Sequence, residues 1–494
     1  MSRDRVIVVG AGIGGLACAA DLAARGRDVV VLERAMGTGG KLRQVQVAGR
    51  DIDSGPTVFT MRWVFERLFA DAGADFAQAV PTTPLDILAR HAWSERERFD
   101  LHADAARTGD AVAEFSGVAE RDRFIAFCAE ARSIYQTLRD TFLTAKRPGP
   151  IGLARRIGLV NLDALFGLRP FETLWSALGR HFADPRLRQL FGRYSTYVGS
   201  SPFAAPATLM LIAHVEQDGV WSVDGGMSAL AGAVQNLAQR HGASVRTGVD
   251  VCEVIVHRGR AAGVVLAGGE RIDADAVVFN GDPNALASGA LGLAVRHATP
   301  PTPSARRSLS AITWSAVAAT AGFPLVRHNV FFGGDYRTEF DDLARGRLPG
   351  DPTVYVCAQD RAPGTAAPDD RERLLVLVNA AATGDAGDID AGDVDRCEAR
   401  TFERLERCGL AVRRTDWSVA RTTPAQFHRL FPATGGALYG RASHGWTASF
   451  RRPGSTTAIP GLYLAGGATH PGAGVPMAAL SGRLAAARLC ADHT

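Results

Sequence analysis

Nowhere in the 494 residues do about 18 apolar side chains run together, so no segment reads as a membrane-crossing helix. Cysteine is sparse and scattered. The seven are Cys18, Cys128, Cys252, Cys357, Cys397, Cys408 and Cys490, with no two at C-x-x-C spacing. That excludes a zinc ribbon or a disulfide framework and suits a reducing compartment. An excess of one charge is also missing: 55 basic against 51 acidic residues leave +4, too weak a balance to argue for a nucleic-acid partner. Internal repeats and low-complexity tracts are absent, and 54 glycines with 24 prolines fall far short of a disordered or collagen-like composition. The chain opens Met1-Ser2-Arg3-Asp4-Arg5, and its first apolar run is broken by four glycines with no cleavage site behind it, so no signal peptide is expected.

What is present begins at once. Val6-Ile7-Val8-Val9 is a β-branched run suited to a strand buried on both faces. It leads into Gly10-Ala11-Gly12-Ile13-Gly14-Gly15, a helical stretch Leu16 to Arg25 closed by Gly26, a second apolar strand Val29-Val30-Val31-Leu32, and Glu33. The glycines permit a tight turn and close backbone approach to a pyrophosphate, and the helix N-terminus supplies free N–H groups for that anion. An acid at Glu33 can accept from ribose hydroxyls. Two further glycine turns, Gly39-Gly40-Lys41 and Asp53-Ser54-Gly55-Pro56-Thr57, stand where a nicotinamide domain would begin another regular βα unit. They point to a longer, ring-bearing dinucleotide.

The same grammar returns at the far end. Leu462-Tyr463-Leu464-Ala465 reads as a strand, followed by a glycine-rich turn from Gly466 to Pro476 and an alanine-rich helix, Met477 to Ala491, with Arg483 and Arg488 on its polar side. Between the ends, Gly225-Gly226 precedes a helix from Met227 to His241. Strands over Ser244–Val256, Ala262–Leu266 and Ala276–Phe279 then run into Asn280-Gly281-Asp282-Pro283. Strand-like runs at Ser315–Ala321, Thr353–Ala358 and Leu374–Asn379 predict a second sheet; 360–373 reads as a polar loop and 384–395 as an exposed turn. Residues 91–215 read as mixed and mostly helical. Within them 151–182 sets Leu, Ile, Phe and Trp175 against Arg155, Arg156, Arg169 and Arg180, which fits either a helix lying in a membrane interface or one packed on the core.

Together Val6 through Glu33, Gly39-Gly40-Lys41-Leu42, Asp53 through Thr57 and Leu462 through Pro476 resemble the carotenoid (phytoene-type) desaturase family of flavoproteins, part of the class that includes amine oxidases. The run Tyr463 through Gly474 is the most specific part of the resemblance; within it Thr469-His470-Pro471-Gly472 is characteristic of the carotenoid branch, with Gly467 where amine oxidases tend to carry an acid. Gly436-Ala437-Leu438-Tyr439-Gly440-Arg441, Ser443-His444-Gly445 and Pro476 to Gly482 are most similar to the 1-hydroxycarotenoid 3,4-desaturase subgroup of phototrophic bacteria.

The resemblance implies an α/β fold: a discontinuous Rossmann-type FAD-binding domain (1–90, 216–290, 436–494), a mixed-sheet substrate domain (291–435) and a helical, membrane-facing subdomain (91–215). It implies bound FAD and an apolar tunnel, with desaturation by hydride transfer to the flavin and loss of the vicinal proton, at the 3,4 position of a substrate such as 1-hydroxyneurosporene. Cofactor contacts are expected from Gly10, Gly12, Gly14, Gly15, Glu33, Gly40, Lys41, Gly55, Thr57, Val251, Gly467, Gly474, Val475 and Met477. Val251 reads equally as a plain strand valine and Met477 as a core methionine. Acid–base candidates are Glu216, His470 and Arg441. Their alternatives are a solvated helix-end carboxylate, a residue that shapes the flavin turn, and a surface arginine. Arg441 and His444 could instead bind a substrate hydroxyl. No metal site is expected. The expected setting is peripheral, on the cytoplasmic face of the inner membrane, with carotenoid drawn from the bilayer and quinone or oxygen as electron acceptor. Phytoene or neurosporene desaturase, carotene isomerase, amine oxidase, and a prenyl-lipid carrier of the Rab escort or GDI type are the rival readings.

Overall fold

The computed structural model describes residues 4–158, 167–361, 368 and 370–493. Its first sheet is wholly parallel and draws on three distant parts of the chain. The strands lie in the order Leu462–Leu464, Ala276–Phe279, Arg5–Val9, Asp28–Leu32, Ser244–Arg246. The β-branched run explains its central place: Val6 and Val8 pack into one apolar cluster, Ile7 and Val9 into another, so both faces are covered. The helices Ile13–Ala24, Met227–Arg240 and Val475–Asp492 belong to the first of those clusters. A three-stranded antiparallel sheet, Val251–His257, Arg260–Leu266 and Arg271–Asp273, contributes to the second.

The second sheet has seven strands, ordered Ser418–Thr422, Ser310–Ala318, Glu372–Ala380, Val354–Ala358, His328–Phe331, Ile87–Ala92, Arg98–His102. All its pairings are antiparallel except the one joining His328–Phe331 to Ile87–Ala92. Strand alternation sorts its two sides. Val354, Val356 and Ala358 pack beneath the helix Ala391–Arg407, whereas Tyr355 and Cys357 join the large cluster that also holds the parallel sheet. Tyr355 therefore faces the interior between the two sheets.

Four expectations change. The strands Ile87–Ala92 and Arg98–His102 belong to the second sheet, so a boundary at 90 falls inside a strand and residues 91–102 are not helical. A boundary at 216 likewise falls inside the helix Leu211–Gln217. The stretch 384–395 is more than a turn, because Asp390 accepts from the N–H groups of Gly392 and Asp393 and starts the 17-residue helix Ala391–Arg407. Residues 151–182 are not one helix: Pro150–Ile157 ends at Gly158 (φ 99°), and Leu174–His181 packs Leu174, Ala177 and Leu178 into the core. Residues 159–166 of that stretch, and 362–367 and 369 of the polar loop, lie outside the described residues.

The helices Ile13–Ala24 and Val475–Asp492 meet backbone to backbone. A Cβ at Gly482 would stand 2.0 Å from the Gly14 carbonyl oxygen, and one at Gly14 would stand 2.8 Å from the Ala478 carbonyl oxygen and the Gly466 Cα. Arg483 sits between helices, pairing with Asp21 at 3.0 Å and with Asp71, whereas Arg488 pairs with Asp492 near the surface. Replacing Gly482 by alanine should force these helices apart at a cost of about 1–3 kcal/mol. A lower thermal midpoint in Gly482→Ala, with no matching loss in Gly232→Ala, a position inside the helix Met227–Arg240 where the added Cβ would meet nothing within 4 Å, is the expected result.

Candidate functional site

The C-terminal edge of the parallel sheet gathers the glycine turns. Gly10 (φ 100°) follows Arg5–Val9, and the helix Ile13–Ala24 begins from Gly12 with no side-chain cap. Gly39 donates its N–H to the Ala11 carbonyl, and a Cβ at Gly40 would lie 3.0 Å from the Gly12 Cα. Gly474 (φ 115°) starts the helix Val475–Asp492, again with no side-chain cap. Two helix N-termini thus point unspent N–H groups and partial positive charge toward neighbouring ground. The third such helix differs. Asp53 Oδ2 accepts the Met227 N–H at 2.7 Å and caps Met227–Arg240 from a distant turn.

Glu33 closes the other end of this cradle. Its Oε2 accepts from Ala11 N–H at 2.7 Å and its Oε1 from Ala35 N–H at 2.9 Å, which leaves lone pairs on both oxygens for ligand hydroxyls. The Val249 N–H donates to the Glu33 carbonyl, bringing Val251 nearby, where its buried side chain packs with Ile7 and Leu32. Gly467 has room: a Cβ there would meet nothing closer than 3.9 Å. Val475 is buried and Met477 half-buried at the start of the last helix.

Other expected contacts have partners within the protein. A Cβ at Gly55 would collide with the Lys41 carbonyl oxygen at 1.8 Å, a packing reason for that glycine. Lys41 turns its ammonium to the Leu438 carbonyl at 2.5 Å, and burial lowers its pKa to about 8 against the pull of Asp282. Thr57 lies 2.7 Å from the Tyr355 hydroxyl, which is also 2.7 Å from His328 Nδ1.

Two residues join the site that sequence reasoning left out. Asn280, at the end of the strand Ala276–Phe279, donates from Nδ2 to the Gly10 carbonyl at 3.0 Å and keeps a buried Oδ1 without a partner. Buried Arg452 donates to the carbonyls of Tyr439, Gly467 and Arg441 at 3.0, 3.1 and 2.7 Å. Asn280 had a signal in its place at the end of a parallel strand, where α/β sheets bind ligands. Arg452 had none.

The acid–base candidates are not assembled. Among the described residues no hydrogen bond or ion pair joins any two of Glu216, His470 and Arg441. Glu216 is buried, not a solvated helix end, and accepts the hydroxyl of Tyr194 at 2.7 Å, with the Tyr197 phenol close by. Burial raises its pKa, opposed by those phenols and by Arg193. His470 is held neutral, with its pKa lowered to about 4 by burial, and its Nε2 bonds the Ala145 carbonyl at 2.9 Å while Phe142 packs edge-on. It ties the glycine turn to the helical region. Arg441 lines a pocket with Asp282, Thr302 and Arg451, and the His444 Nε2 accepts the Ser201 N–H. Among the described residues no cluster could hold a metal ion.

The open helix N-termini and the glycine-lined approach fit a dinucleotide with its ribose at Glu33. The model of the flavin containing amine oxidoreductase family matches residues 13–490. Hydroxyneurosporene desaturase of Rubrivivax gelatinosus is 55% identical over 99% of this chain and 94% of its own length. Its counterpart in Cereibacter sphaeroides is 43% identical over 99% and 98%. A putrescine oxidase variant superposes with a TM-score of 0.62 at 17% identity, covering 99% of both chains, a likeness of fold alone. FAD is the cofactor, and the protein is an FAD-dependent oxidoreductase. The chain belongs to the flavin-containing amine oxidoreductases, in the branch that holds the hydroxyneurosporene desaturases.

Proposed function

We propose that this enzyme introduces a double bond at the 3,4 position of a 1-hydroxycarotenoid such as 1-hydroxyneurosporene, extending the polyene by one unit. The carrying observation is the 55% identity to a hydroxyneurosporene desaturase along nearly the whole of both chains. Bound FAD supplies the hydride acceptor. Gly10, Gly12, Gly14, Gly15 and Gly40 would give its pyrophosphate close backbone approach, Glu33 would hold its ribose, and the turn from Gly467 to Met477 would meet its ring system. The vicinal proton leaves from a carbon beside a delocalised cation, so orientation of the chain matters more than a strong base.

A polyene of this length resides in a bilayer, which calls for contact between the protein and a membrane surface. No helix among the described residues is long and apolar enough to cross one. Supporting a peripheral mode, Ile151 and Phe171 are 71% and 80% exposed, and Phe171 packs its ring on the partly exposed Trp446 at 5.4 Å. Arg147 ties the segment before Ile151 to the carbonyls of Phe450 and Arg452, near Trp446, and Arg155 stands exposed beside it. Apolar tips among basic residues suit an anionic lipid interface. Quinone or oxygen takes the electrons onward, and anaerobic turnover with and without added quinone separates the two.

Expression in cells that accumulate 1-hydroxyneurosporene or neurosporene, read by pigment chromatography, tests the substrate. One added double bond in the hydroxylated pigment alone is expected; equal conversion of phytoene would overturn the assignment. Removing the Glu33 carboxylate (Glu33→Ala) strips the ribose partner, and FAD should bind weaker by about 1.5–3 kcal/mol, roughly ten- to a hundredfold in titrated affinity. For the membrane reading, Ile151→Asp with Phe171→Asp and Arg155→Glu should abolish flotation with anionic vesicles. Undiminished flotation of that triple variant rejects this surface.

A further inference from the structure

Arg193, Tyr197 and Tyr439 lie deep within the protein, yet each keeps part of its surface accessible, so they wall an internal space instead of filling core. Both cofactor-side turns border that space. On one side Thr57 bonds Tyr355, and the Tyr355 ring centre lies 5.4 Å from the Arg193 guanidinium. On the other, Arg452 holds the carbonyls of Tyr439 and Gly467 together. The Tyr439 ring presses so close to Gly199 (φ 63°) that a Cβ there would stand 2.4 Å away, which holds the turn Arg193–Val198 against it.

Within this wall Arg193 is under-used. Among the described residues its guanidinium makes one hydrogen bond, Nη1 to the Tyr197 hydroxyl at 3.2 Å, and no ion pair. A guanidinium carries five N–H donors, so the rest face the space or the rings around it. The Tyr197 hydroxyl in turn stands close to Glu216, which accepts the Tyr194 hydroxyl at 2.7 Å. The result is a short polar chain, anchored at its buried end and open at the other.

We propose that Arg193 and Tyr197 bind the tertiary hydroxyl of the hydroxylated carotenoid, with Glu216 and Tyr194 as positioning residues for the Tyr197 phenol. This rests on the substrate reading above. In a 1-hydroxycarotenoid the hydroxyl-bearing C1 is two carbon–carbon bonds from C3, so the group that reads the hydroxyl must stand beside the reacting bond and therefore beside the cofactor. Arg193 and Tyr197, set between the two cofactor-side turns, meet that requirement. His444 does not, since its Nε2 is already taken by the Ser201 N–H, and Arg441 lines a separate pocket. The spare guanidinium N–H groups donate to the alcohol oxygen, and the phenol oxygen accepts the alcohol hydrogen. A substrate without the hydroxyl leaves these buried groups unpaired, which is the source of the discrimination.

The test compares kcat/KM for 1-hydroxyneurosporene and neurosporene, in liposomes, for the FAD-loaded wild type, Tyr197→Phe and Arg193→Gln. The ratio of the two constants should fall by roughly tenfold or more in each variant, with bound flavin per chain matching the wild type. An unchanged ratio, including equal losses on both substrates, overturns the proposal and leaves the pair a structural role. Should Arg193→Gln lose its flavin, Tyr197→Phe, which deletes one oxygen, decides by the same ratio. A wild type that shows no preference for the hydroxylated substrate would instead sink the substrate reading itself.

Discussion

The architecture turns on a contact between backbones. Gly14 on the first helix and Gly482 on the last approach so closely that neither tolerates a side chain, and Gly466 closes against the same point. With those three positions in register, two helix N-termini end side by side at the edge of one parallel sheet. Their unspent N–H groups and aligned dipoles are then placed to suit an anionic ligand. Asn280 completes the junction by binding the Gly10 carbonyl from the strand between them. Loosening this contact would separate the halves of the site before it touched either sheet's core.

Local chemistry was legible wherever one residue type had one reason to be present. The β-branched runs became the strands Arg5–Val9, Asp28–Leu32 and Ala276–Phe279, and Gly26 ends its helix at φ 79°. Segments whose character depends on distant partners were misread. The helix Ala391–Arg407 hides behind an Asp- and Gly-rich entry because its cap, Asp390, looks like loop composition until Val394, Phe402 and Leu405 find the second sheet. The strand Ile87–Ala92 reads as the end of the cofactor region, yet it pairs with His328–Phe331 far along the chain. In the site, Glu33 was visible from spacing. Asn280 was marked only by its place at the end of a parallel strand, and Arg452 not at all, because it serves carbonyls that only the folded chain brings together.

Two buried glutamates show how partners, not burial, assign a role. Glu33 is bonded by backbone N–H groups on both oxygens, which aim the carboxylate while leaving lone pairs for a ligand. Glu216 is bonded by the Tyr194 phenol, with the Tyr197 phenol close by. A carboxylate engaged in that way is a poor shuttle for protons and a good anchor. His470 follows the same logic: burial keeps it neutral, and its ring spans the glycine turn and the helical region.

The anchor also answers an electrostatic difficulty. Desaturation develops positive charge on the polyene, and a bare guanidinium 4 Å away would oppose it by about 4 kcal/mol at an effective dielectric of about 20. Arg193 has no direct ion pair among the described residues, yet the field of Glu216 reaches it through the Tyr197 hydroxyl. The cation and the carboxylate thus form an extended pair with a phenol between them. Such an arrangement presents hydrogen-bond donors to an alcohol, and an ionised Glu216 would offset part of the guanidinium charge where the polyene cation must form. A lysine in place of Arg193 would offer a point charge on a flexible stem, without the planar fork that stacks on Tyr355 and Tyr197. The aromatic faces hold the guanidinium still, so its spare N–H groups keep one direction while the greasy chain slides into place.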